Sequence, residues 1–212
     1  MSRESTLLRF FSRIACLFVL VGVVGQSPSY AVGRDGPELR SHSGPFSLWG
    51  IDLSAAEMSD DRTEEVIRSL NIYAKYGVSG MTVSLQPRDT GRGVFAEDGS
   101  IADSVMLDRV RRITHGAIDR WLVPVVRVFD SGLGSTEAYE RALKEVAQNS
   151  RGSGDMILNI GTVPNADDLP GFVKILRDNK WRGLIGVDVD PATMSSEEMK
   201  KFLIGKLIQE ML

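Results

Sequence analysis

Thiol chemistry, disulfide bridging and zinc binding all lack the residues they need. The 212 residues include one cysteine, Cys16, and two histidines, His42 and His115. A single thiol closes no intrachain disulfide, and no Cys/His spacing suits a tetrahedral zinc. No G-x-S-x-G turn is present, which removes the serine elbow of the hydrolases that use one. The stretch "DLSAAEMSD" contains no glycine where a doubly wound sheet would carry its phosphate-binding turn. No basic stripe and no aromatic RNA-binding pattern occurs, so nucleic acid is not expected as a partner. No apolar run reaches the roughly 20 residues that a membrane-spanning helix needs. What remains, 42% hydrophobic and 25% charged residues, is the balance of one globular domain with a packed core.

Residues 1–31 stand apart. Arg3, Arg9 and Arg13 precede the apolar run "IACLFVLVGVV" (Ile14 to Val24), and "SYA" follows, ending at Ala31. This is the pattern of a secretory signal peptide, with cleavage expected after Ala31 because Ser29 and Ala31 are small. Cys16 lies inside the run with Arg13 before it, so it does not read as a lipoprotein site. The mature chain would have no cysteine and no stable membrane span. It would be secreted or periplasmic, and would depend on its core for stability. It would hold 22 basic and 27 acidic residues, a formal charge of −5. Neutral polymers or small molecules are then more plausible partners than polyanions.

Residues 32–45, "VGRDGPELRSHSGP", are rich in glycine, serine and charge and read as a flexible lead-in. From Phe46 onward, in residues 46–212, short apolar runs alternate with longer amphipathic ones. The strands expected are Ser47–Ser54, Gly80–Pro87, Val123–Phe129, "DMILNIG" and "GLIGVDVD". Between them fall helices with capping residues at Ser59 or Asp60 and at Ser135, and a last helix "SSEEMKKFLIGKLIQEML" closes the series. Five consecutive βα units imply an α/β fold with a parallel sheet and right-handed crossovers. A full (β/α)₈ barrel usually takes about 250 residues, so the expectation is a partial barrel of this type. Its open sheet edge, or the apolar stripe Met199, Phe202, Leu203, Leu207 and Met211 of the last helix, could support a homo-oligomer.

Ligands of such folds bind at the carboxyl ends of the strands. The polar residues there are Asp52, Gln86, Asp130, Asn159, Thr162, Asp188 and Asp190. Asp52, Asp130 and Asp188 facing one another could hold sugar hydroxyls, or a divalent metal in an active enzyme. Each is also a common cap or turn former. His115 falls in mid-helix and reads as a packing or solvated residue, and Trp49 as a core aromatic in preference to a sugar-stacking platform. No cofactor is implied.

The stretch "FAEDGSIADSVMLDRVRRITHGAIDRWLVPVV" and its continuation "STEAYERALKEVAQNSRGSGDMILNIGTVPNADDL" resemble the cellulase-like glycoside hydrolases of family 5 and their clan, in which a "DG.I....LDRV...A....L.VV" pattern recurs. The resemblance runs from Phe46 to Asp190. It implies a TIM-type barrel, a saccharide ligand, and two carboxyl groups across the scissile bond. The family's fourth strand ends in Asn-Glu-Pro. Laid on this chain, Thr162 takes the Asn, Val163 the acid/base Glu, and Pro164 the Pro. Valine cannot move a proton. The second carboxylate belongs to a seventh strand that five units do not supply, so the resemblance implies a pseudoenzyme. A shifted alignment would bring in Asp167 or Asp168, which serve better as caps of the next helix.

Overall fold

The computed structural model describes residues 33–35, 38–41, 44–45, 47–53, 59–88, 92–150, 155–161, 163 and 165–188. The segment read as a signal peptide, Thr162, Pro164, Asp190 and the stretch expected to form the last helix lie outside them. The segment expected to be a flexible lead-in instead carries three short strands, β1 (Gly33–Asp35), β2 (Glu38–Ser41) and β3 (Gly44–Pro45), paired antiparallel in that order. Glycine and serine belong to hairpin turns as readily as to linkers.

The main sheet follows the expected alternation. Strands β4 (Gly50–Asp52), β5 (Gly80–Ser84), β6 (Val123–Phe129), β7 (Ile157–Gly161) and β8 (Leu184–Gly186) lie side by side in sequence order, all parallel. Helices α1 (Asp60–Lys75), α2 (Ser104–Ile118), α3 (Thr136–Asn149) and α4 (Leu169–Asp178) connect them. This is an α/β architecture of successive βα units, as in a partial TIM-type barrel.

The helix starts are set by side-chain caps. Ser59 Oγ accepts from Arg62 N at 3.2 Å, Asp103 Oδ1 from Met106 N at 2.8 Å, and Ser135 Oγ from Ala138 N at 3.3 Å. Each satisfies one of the free amides of a first turn, which is typically worth about 1 kcal/mol. Thr63, Val66 and Leu70 of α1, and Met106, Val110, Ile113 and Ala117 of α2, recur at helical spacing and are buried. Val66, Leu70 and these α2 residues, with Ala142, Leu143 and Val146 of α3 and Phe172, Val173 and Leu176 of α4, form one core with Met81, Val83, Val126, Val128, Leu158, Ile160 and Ile185 of the sheet. Phe129 carries this layer to the strand ends, where its ring meets Tyr139 edge-on at 4.5 Å, and Tyr139 in turn stacks on Phe172 at 5.9 Å. Arg109 joins α2 to α1 through Asp60 at 3.0 Å, and this hydrogen bond holds the Asp60 carboxyl below the ordinary range.

Alternation along the strands sends the other residues to the opposite face. Its amino-terminal half is apolar, with Val125, Ile157 and Leu184 packed together beside Leu48 and Val123. Its carboxyl-terminal half is polar, since Ser84, Arg127 and Asn159 are register partners across β5, β6 and β7.

Three helices hand over to the next strand through one type of left-handed turn. Gly77 (φ 83°), Trp121 (φ 63°) and Lys180 (φ 69°) occupy the left-handed position. The following amides, Val78, Leu122 and Trp181, donate to Tyr73, Ala117 and Leu176. Glycine takes this conformation freely, whereas an L side chain pays about 1–2 kcal/mol. Trp121→Gly is therefore expected to raise stability by about 0.5 kcal/mol, net of the extra freedom of glycine in the unfolded chain. Urea denaturation of the two proteins measures it; a loss above that size would show that the Trp121 ring contributes packing instead.

Candidate functional site

At the carboxyl ends of β5 to β8 the polar half-face becomes a connected network. Ser84 Oγ donates to Asp130 Oδ2. Arg127 Nη1 lies 3.0 Å from Asp130 Oδ1, and its Nε lies 3.3 Å from Asp188 Oδ2. Asn159 Nδ2 donates to Asp188 Oδ1 at 2.8 Å, while Asn159 Oδ1 accepts from the Gly161 amide at 2.9 Å. Two carboxylates thus flank one guanidinium, held from below by a hydroxyl and an amide. Ser84 and Asn159 are fully buried, and the three charged side chains keep between an eighth and a quarter of their surface open to solvent.

The backbone explains why these residues meet. Ser84, Arg127, Asn159 and Gly186 are successive register partners, so their side chains share one face and one level. Asp188 stands two residues beyond Gly186, on that same face. Asp130 follows the end of β6; its amide donates to Gln86 O at 3.2 Å, and Arg88 Nε donates to its carbonyl at 3.2 Å.

The residues expected at the strand ends divide into groups. Asp130, Asn159 and Asp188 are brought together. Asp52 is exposed at the end of the outer strand β4, opposite Thr82 and thus on the network's face. Gln86 is spent on structure: its Oε1 accepts from Phe95 N at 3.2 Å and its Nε2 donates to Phe95 O at 3.4 Å, a strand-like clamp on the loop before α2. Val163 is partly buried and packs against the main core. Asp168 stands at the N-cap position of α4 but its side chain makes no capping hydrogen bond; Thr136 Oγ1 donates to its carboxylate at 3.3 Å, and Asn165 caps the 3₁₀ turn Ala166–Asp168 by accepting from Asp167 N at 3.0 Å. Trp49, expected in the core, is exposed.

Arg127 was not anticipated. An arginine within "VPVVRVF" reads as a stray charge in a strand until the register is known, and only then does its level with Ser84 and Asn159 appear. Among the described residues no group of three or more His, Cys, Asp or Glu is arranged to hold a metal ion. A cavity of about 700 Å³ beside α2, lined in part by Asp108, Arg112 and His115, belongs to the helical layer and not to the strand ends.

No family model and no curated protein matches this sequence. Solved structures do match in fold. One is described as a glycoside hydrolase, with 13% identity over 74% of this chain and 40% of its own, at a TM-score of 0.55. Another is a glycoside hydrolase family 5 protein from Bacteroides vulgatus, with 17% identity over 74% of this chain and 38% of its own, at a TM-score of 0.54. The fold is that of the glycoside-hydrolase barrels. The chain spans about two fifths of the length of these glycoside hydrolases. Within the glycoside-hydrolase fold the network occupies the carboxyl-end face, where such barrels generally bind their ligands.

Proposed function

We propose that the chain is an exported glycoside-hydrolase-like protein that binds saccharide at the strand ends without hydrolysing it. The observation that carries this reading is the Ser84–Asp130–Arg127–Asp188–Asn159 network at the ligand-binding end of a glycoside-hydrolase fold, beside a Val163 that packs into the core. Carboxylate pairs flanking a guanidinium accept from and donate to neighbouring hydroxyls, which is the chemistry of a sugar diol. Two acids against one arginine, with Asp52 on the same face, disfavour uronates and favour neutral sugars.

Glycosidic hydrolysis needs a proton donor and a second carboxylate placed across the bond. Val163 supplies neither at the position aligned with the acid/base. The protein is therefore expected to show a thermal shift with neutral β-linked oligosaccharides and no release of reducing sugar from β-glucan or β-mannan, and Val163→Glu is expected to remain inactive. Turnover by the wild type would overturn the inactive reading.

A second reading has one observation in its favour. Asp130 and Asp188 both contact the Arg127 guanidinium and both keep part of their surface open to solvent, so a substrate lying over the arginine would meet two carboxylates. Hydrolysis that disappears in Asp188→Asn while binding persists would establish that reading in place of the first.

A further inference from the structure

The end of the sheet opposite the network carries an unusual surface. Among the described residues five large apolar side chains are more than half exposed, and four of them sit here: Trp49 (60%), Ile72 (55%), Tyr76 (73%) and Trp121 (72%). Trp49 immediately precedes β4, Tyr76 ends α1 ahead of β5, and Trp121 fills the turn ahead of β6. Parallel strands put all three at one end of the sheet. Arg120 Nε donates to Asn71 Oδ1 at 2.9 Å, tying the end of α2 to the end of α1, and Trp49 packs within about 4.0 Å of where a side chain on Gly77 would begin.

Cations accompany the aromatics. Arg68, Ile72, Lys75 and Tyr76 are exposed at the end of α1, and Lys180 and Arg182 are exposed at the same end ahead of β8, against the exposed acids Asp119 and Asp178, with Arg120 and Asp155 part-buried there. Trp121 keeps a left-handed backbone that glycine would adopt at lower cost. Bulky amphipathic rings, an aliphatic side chain and a cation excess together match the interface of an anionic bilayer, where Trp and Tyr settle at headgroup level and Lys and Arg meet lipid charge.

We propose that the Trp49–Tyr76–Trp121 end of the sheet docks peripherally on an anionic lipid surface. Docking there points the strand ends and their polar network away from the bilayer, open to a polymer in solution. The attraction combines buried apolar area with charge, as for other interfacial anchors.

Tryptophan fluorescence of the full chain tests this whether or not residues 1–31 are present. Trp49 and Trp121 are exposed, whereas Trp181 is buried and serves as the internal control. Brominated phosphatidylcholine vesicles enriched in phosphatidylglycerol are expected to quench the wild type. Trp49→Phe/Trp121→Phe, which keeps aromatic rings at both positions, should leave a Trp181 emission that the same vesicles do not quench. Arg68→Ala and Lys75→Ala should each weaken binding about fivefold. Wild-type protein that sediments with the vesicles but is not quenched would overturn the proposal, as would equal quenching in purely zwitterionic vesicles. Shifts of the same two tryptophans on adding a neutral oligosaccharide, without any lipid response, would instead assign the surface to saccharide.

Discussion

Gly161→Ala is expected to lower the stability of the fold by at least about 3 kcal/mol, and the midpoint of thermal unfolding by about 6–12 °C. Gly161 ends β7 with φ 84°, and a methyl group there would fall 2.8 Å from the carbonyl carbon of Phe129 and closer still to its oxygen. The obstacle is backbone of the neighbouring strand, which cannot swing aside as a flexible side chain can. Left-handed strain adds about 1–2 kcal/mol to the steric term. The damage would reach the site as well, because the Gly161 amide donates to Asn159 Oδ1 while the same amide group of Asn159 holds Asp188. Gly171 provides the control. It lies in α4 with nothing within 4 Å of its would-be side chain, so Gly171→Ala should stabilise by about 0.5–1 kcal/mol. Calorimetry on the two variants measures both; a Gly161→Ala protein that unfolds within a degree of the wild type would mean that β6 and β7 can move apart at little cost.

Periodicity made the main sheet legible. "VPVVRVF" is a strand from Val123 to Phe129 as expected, and Ser135 caps α3 as its side-chain chemistry requires. Short strands were read too long: the first, expected over Ser47–Ser54, pairs only at Gly50–Asp52, and the second stops at Ser84 instead of Pro87. An apolar run reports burial, and burial continues beyond the strand's last residue into Leu85, whose amide still donates to Arg127 O. The site was legible where a polar residue stood at the end of a strand, as at Asp130, Asn159 and Asp188. It was not legible where the partner depended on register, as at Arg127 and Ser84, because one sequence does not say which residues of neighbouring strands stand level. Gln86 shows the converse: a polar residue at the right height whose side chain is engaged by the Phe95 backbone, a contact nine residues away that no spacing announces. Trp49 was misjudged for a related reason, since an aromatic before a strand is buried only if another element covers that end of the sheet.

Arg127→Met should be the most damaging change within the network itself. The methionine approximates the arginine stem, so the apolar volume is largely kept while the charge goes. Asp130 and Asp188 would then face each other with only Ser84 and Asn159 to support them, in a setting where the arginine side chain is 13% exposed. Removing one partner of a largely buried ion pair typically costs about 3–5 kcal/mol, and the lower end applies here because Asp188 retains some solvent. A triple variant separates this cause from lost packing, because it removes the charges while leaving the methionine in place. Asp130→Asn/Arg127→Met/Asp188→Asn should recover most of the loss at neutral pH, because neutral amides can hydrogen-bond to each other and to Ser84 without repulsion. If the triple variant is as unstable as Arg127→Met alone, the network is not what the guanidinium stabilises. If it recovers stability but no longer responds to oligosaccharide, the charges at the strand ends serve the ligand and not the fold.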